Sequence, residues 1–105
     1  MDAELQKKWM AIEGFLRRAR SDLPSDGGIE QLLTEFDDYL SHNELELALD
    51  ALAEAGGVVS PPGIFWNRLV QAAELMELHE KKTKLLHAFV EAAAAGLQRR
   101  SKKHA

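Results

Sequence analysis

Apolar residues in this chain recur three and four positions apart almost from end to end, and at one place the phase of that recurrence jumps. Ile29, Leu32, Leu33, Phe36 and Leu40 share one face of a helix. The next apolar set, Leu45, Ala48, Leu49 and Leu52, starts five residues after Leu40, which turns the face by about 140°. A single straight helix cannot carry both stripes into one core. Between them stands Ser41-His42-Asn43-Glu44, which fits a capping box: the Ser41 hydroxyl accepts the Glu44 N–H and the Glu44 carboxylate reaches back. The stretch from Glu35 to Glu54 therefore reads as a helix, a polar corner and a second helix.

The same periodicity predicts a first helix over about Asp2 to Asp22, with Leu5, Trp9, Ile12, Leu16, Ala19 and Leu23 as a heptad seam and Phe15 widening it toward a globular core. Gly14, in its middle, marks close approach of a neighbouring helix, since glycine there costs about 1 kcal/mol against alanine. Pro24-Ser25-Asp26-Gly27-Gly28 ends this helix and turns the chain. The second helix covers about 29–40 and the third about 43–55, the latter closed by Gly56-Gly57. Ser60 and Pro61 open a deeply buried fourth helix carrying Phe65, Trp66, Leu69, Val70, Ala72, Ala73 and Met76. A fifth carries Leu85, Leu86, Phe89, Ala92, Ala93 and Leu97, and no Gly or Pro near Met76-Glu77-Leu78-His79 decides whether it is separate from the fourth. The expected fold is all-α, a compact bundle of four or five helices. One domain spans 1–98, and 99–105 is a basic flexible tail without apolar residues to bury.

No cysteine is present, which excludes disulfides and thiolate metal sites and makes a reducing, cytoplasmic setting the expected one. The apolar runs are too short for a membrane span, and the apolar positions after Lys7-Lys8 are broken by Glu13 and Arg17-Arg18, so no secretory signal is read. The formal charge of −4 conceals an uneven distribution. Between Asp22 and Glu80 stand thirteen acidic residues and one basic one, Arg68, whereas 81–105 hold seven basic and one acidic. An acidic middle attracts a basic partner and repels nucleic acid, and a basic end does the reverse.

Chemistry-bearing patterns are sparse. Asp37, Asp38 and His42 are the residue types of a metal or acid–base site, but adjacent residues point about 100° apart on a helix, and solvated acids at a helix end are the simpler account. His79-Glu80 opens like a zinc-protease motif, yet Thr83 stands where the second histidine belongs. Neither glycine pair continues into a phosphate-binding motif. The expectation is no catalytic residue, no metal, no cofactor and no enzyme. What stands out is one-sign charge beside an aromatic: Asp37, Asp38, Tyr39, His42, Asn43, Glu44, Glu46 and Asp50 make a candidate face for a basic protein partner.

The run from Phe36 to Leu52, followed by Phe65-Trp66-Asn67-Arg68-Leu69 and Ala73-Glu74-Leu75-Met76-Glu77-Leu78, resembles the MafI-type immunity proteins of bacterial polymorphic toxin systems over residues 29–78. The resemblance implies a small cytoplasmic protein that binds a cognate toxin and occludes it. Two alternatives stay open: a helical adaptor that homo-oligomerises through its first helix, as against a monomer, and a nucleic-acid-associated protein using Arg99, Arg100, Lys102 and Lys103.

Overall fold

The computed structural model describes the backbone of residues 2–25 and 27–103, with side chains as far as Leu97. Five helices and no strand occur among them: α1 (Ala3–Ser21), α2 (Glu30–Ser41), α3 (Leu45–Val59), α4 (Gly63–Leu75) and α5 (His79–Lys103). Asp2 starts α1 by accepting the Glu4 N–H at 3.0 Å. Gly27 and Gly28, at φ of 87° and 83°, make the turn into α2 that a side chain would resist. α4 lies between α1 and α5, α2 packs on α3, and α3 also touches α1 and α4. That central position explains the sequence of α4, which buries Phe65, Trp66, Leu69, Val70, Ala72 and Ala73 because it has neighbours on two sides. Together with Ile12, Leu16, Phe36, Leu49 and Leu52 these form one continuous core, each large side chain contributing about 1.5–3 kcal/mol by leaving water.

Helix boundaries depart from the sequence expectation where glycine or serine was taken as a signal. α3 does not stop at Gly56-Gly57; both are helical, and the helix ends at Ser60, which takes the left-handed conformation (φ 50°). Gly56 is there for space, because its bare Cα faces the rings of Phe65 and Trp66. Ser60 is thus the end of α3 and caps nothing in α4, whose first residue follows Pro62. Gly14 marks no close approach: a Cβ there would meet nothing within 4 Å. α4 and α5 are separate, divided at Met76-Glu77-Leu78, where Glu77 adopts φ 58° and the Leu78 N–H bonds the Ala73 carbonyl at 3.0 Å. This is a Schellman closure, which needs a left-handed residue but not glycine. α5 runs through Lys103, past the point at which loss of apolar residues predicts fraying. The side chains of the basic tail, and His104 and Ala105 altogether, lie outside the described residues.

Candidate functional site

The α2–α3 corner is a second Schellman closure. The Glu44 N–H bonds the Tyr39 carbonyl at 2.8 Å, the Asn43 N–H bonds the Leu40 carbonyl at 3.1 Å, and Asn43 between them sits at φ 57°. Asparagine tolerates that conformation better than most residues. The capping box is therefore not formed. Ser41 is the last residue of α2, its hydroxyl donates back to the Asp38 carbonyl at 2.7 Å, and Glu44 precedes α3 without a side-chain cap. The His42 ring joins the same carbonyl through Nδ1 at 2.9 Å, which requires the proton on that nitrogen. This hydrogen bond first, then the charges of Asp38 and Glu44, raise the His42 pKa above its ordinary value.

The eight residues of the candidate face point four ways. Asp37 turns to α1, where the Arg20 guanidinium grips it with two hydrogen bonds of 3.1 and 3.3 Å. Glu46 and Asp50, one turn apart on α3, both hold Lys81 of α5, at 2.7 and 2.8 Å. Burial alone would lower the Lys81 pKa, but the hydrogen bonds to Asp50 and Glu46 outweigh it and the net displacement is upward. Tyr39 is half-buried, its ring packed against the core. Asp38, His42, Asn43 and Glu44 stay at the tip. Among the described residues neither Asp38 nor Glu44 has a Lys or Arg partner; Asp38 faces only His42, at 3.7 Å. Arg20 and Lys81 could not be assigned to this face from sequence, since each lies on another helix and pairs across 17 and 31 or more residues.

Beside the tip the surface is apolar. Leu5 and Trp9, read in sequence as part of the α1 seam, are 43% and 41% exposed. They form one wall of a groove of about 390 Å³, with Leu75, Met76 and Leu78 of the α4–α5 corner opposite. Asn43 brings the tip to its edge, Glu46, held by Lys81, also lines it, and Lys8 adds a cation. The fold accounts for this exposure: α1 is 19 residues long and α4 only 13, so at 1.5 Å per residue about 9 Å of α1 outruns its main neighbour.

No group of three His, Asp or Glu side chains able to hold a metal converges among the described residues. No described helix is long and apolar enough to cross a membrane. Comparisons with protein-family models, with curated proteins and with solved structures find no match to the chain.

Proposed function

We propose that this chain is a small protein-binding module, not an enzyme, that docks a basic protein on the α2–α3 tip. In its concrete version it is an immunity protein that occludes a cognate basic toxin in the cytoplasm. The observation that carries the proposal is the selective pairing of the acidic side chains: Asp37, Glu46 and Asp50 are satisfied within the molecule, whereas Asp38 and Glu44 are left facing solvent at the tip. Unpaired like charges at a protruding corner attract a cation and are neutralised by it. The resemblance to MafI-type immunity proteins supports the toxin version, since its most distinctive residues, Ser41 to Glu44, are those of the tip.

Growth is the test. The reading frame next to the gene is expressed alone and together with this protein. The proposal expects an arrest that wild type relieves and that Asp38→Asn/Glu44→Gln relieves less, without loss of fold because neither residue holds an internal Lys or Arg. A harmless neighbouring frame, or relief unchanged in the double variant, overturns it. The exposed Leu5, Trp9 and Met10 favour a second reading, a homo-oligomer through α1. Sedimentation as a monomer at high concentration removes that reading.

A further inference from the structure

The groove beside the tip is continuous with it, because Asn43 lines the groove and is the chain neighbour of both His42 and Glu44. Trp9 also borders a second hollow of about 260 Å³ that again includes Asn43, so the two residues are shared by both concavities. A tryptophan left two-fifths exposed at the edge of an apolar groove is a typical binding anchor: its large rigid ring gains contact area at little conformational cost. The volume, about 390 Å³, is at the lower end of ligand sites, which run from roughly 300 to 1,000 Å³. It suits a few side chains from one turn of helix better than a flat interface.

Resting on the function proposed above, we infer that this groove receives an amphipathic basic helix of the partner, whose apolar side chains enter beside Trp9 while its Lys or Arg residues meet Asp38 and Glu44. Charge selects this occupant. Asp38 and Glu44, beyond the groove's Asn43 edge, have no Lys or Arg partner among the described residues, whereas of the charged residues that line the groove itself Glu46 is held by Lys81 and Lys8 stands on α1. A bound helix is thereby oriented, its cationic face toward the tip and away from Lys8. An acidic helix would meet Asp38 and Glu44 unfavourably at the tip edge. Apolar contact and charge then divide the work, anchoring setting the dissociation rate and the carboxylates the association rate.

Tryptophan emission reads the inference directly. Trp66 is buried against Phe65, so an environmental change on binding is reported by Trp9, and Trp9→Phe is the control. The probes are two short synthetic helical peptides with leucine at the same three- and four-residue spacing, one with lysine and one with glutamate at the remaining positions. The lysine peptide is expected to shift the emission to the blue and to lose about tenfold in affinity when salt is raised to about 0.5 M. Asp38→Asn/Glu44→Gln should weaken it about fivefold while leaving the final spectrum unchanged. Binding that depends on the tip but leaves the Trp9 emission unmoved overturns the groove and spares the proposed function. Binding indifferent to the tip variant, or no binding, overturns both, and equal binding of the glutamate peptide overturns the assignment of charge. A concentration-dependent dimer abolished by Leu5→Glu gives the groove to a second copy of this chain instead.

Discussion

Gly56 and Gly57 are adjacent in one helix, and alanine at the two positions should act in opposite directions. A Cβ on Gly56 would stand 2.5 Å from Cε1 of Phe65 and 2.8 and 2.9 Å from Cη2 and Cζ2 of Trp66. Those rings meet edge to face, with centroids 4.9 Å apart and planes at 80°. Phe65 is fully buried, so neither ring can swing into solvent without disturbing the other. Alanine gains about 1 kcal/mol in helix propensity, but forcing a methyl into a packed site costs about 1–3 kcal/mol and more where the neighbours are rigid. The expected result for Gly56→Ala is a net loss of about 1–2 kcal/mol, or about 4–8 °C in Tm for a domain of this size. At Gly57 a Cβ meets nothing within 4 Å, so Gly57→Ala keeps most of the propensity gain and should stabilise by about 0.5–1 kcal/mol. Urea unfolding followed by far-UV circular dichroism measures both, and an unchanged m-value shows that only stability has moved. Were Gly57 the left-handed residue closing α3, as the Gly-Gly pair suggests in sequence, its alanine variant would lose stability. That outcome, with Gly56→Ala neutral, would refute the packing described.

Three further outcomes follow from the two corners. Asn43→Ala should cost about 1 kcal/mol, since alanine lacks asparagine's tolerance of the left-handed conformation, whereas Ser41→Ala should change stability by less than about 0.5 kcal/mol because its carbonyl partner keeps other donors; urea midpoints separate the two. Glu77→Gly should stabilise by about 0.5–1 kcal/mol by relieving φ 58°, and thermal unfolding would show it. His42 should titrate above 6.5 by NMR and move down in Asp38→Asn. Because its folded pKa is the raised one, its stabilisation is complete below 6.5 and fades as pH rises through the folded value, a dependence that His42→Gln should remove from unfolding midpoints measured between about pH 5 and pH 9.

The residues that announced the fold did so through period and phase. Ile29 to Leu40 and Leu45 to Leu52 named two helices because a five-residue step cannot be absorbed by one, and the core confirms every large apolar residue of both stripes except Leu32, which is half-buried. Caps were less legible. Ser41 and Glu44 have the spacing of a helix start, yet Asn43 can close a helix end in the same four residues, and which side of the corner wins depends on backbone hydrogen bonds that sequence spacing does not express. Leu5 and Trp9 fit the seam of α1 without fault; what they lacked was a partner helix long enough to cover them, a property of α4 and not of α1. The candidate face was hidden in the same way. Asp37 looked equal to Asp38 until the fold brought Arg20 across 17 residues to one of them.

That redistribution changes what a charge count means. The segment from Asp22 to Glu80 is strongly acidic in sequence, but Arg20, Lys81 and Lys82, all from outside it, fold onto Asp37, on Glu46 with Asp50, and on Glu74, while Arg68 takes Asp22. Apart from the part-buried Arg68–Asp22 pair, exposed pairs of this kind stabilise by only about 0–1 kcal/mol each, so their larger effect is on the field outside the molecule. A one-to-one ion pair is a dipole at distance and beyond a Debye length of about 10 Å offers an approaching cation little; Glu46 and Asp50, which share the single cation of Lys81, keep one net negative charge between them. Asp38 and Glu44 keep their reach because no Lys or Arg among the described residues answers them. His42 interacts with both carboxylates, and its protonation offsets one of the two charges. A cationic partner at the tip therefore favours neutral His42, and its binding should strengthen as pH rises through the His42 pKa while the helix end that His42 supports grows weaker. Opposite pH trends in binding and in stability, both removed by His42→Gln, would trace the two effects to this one ring.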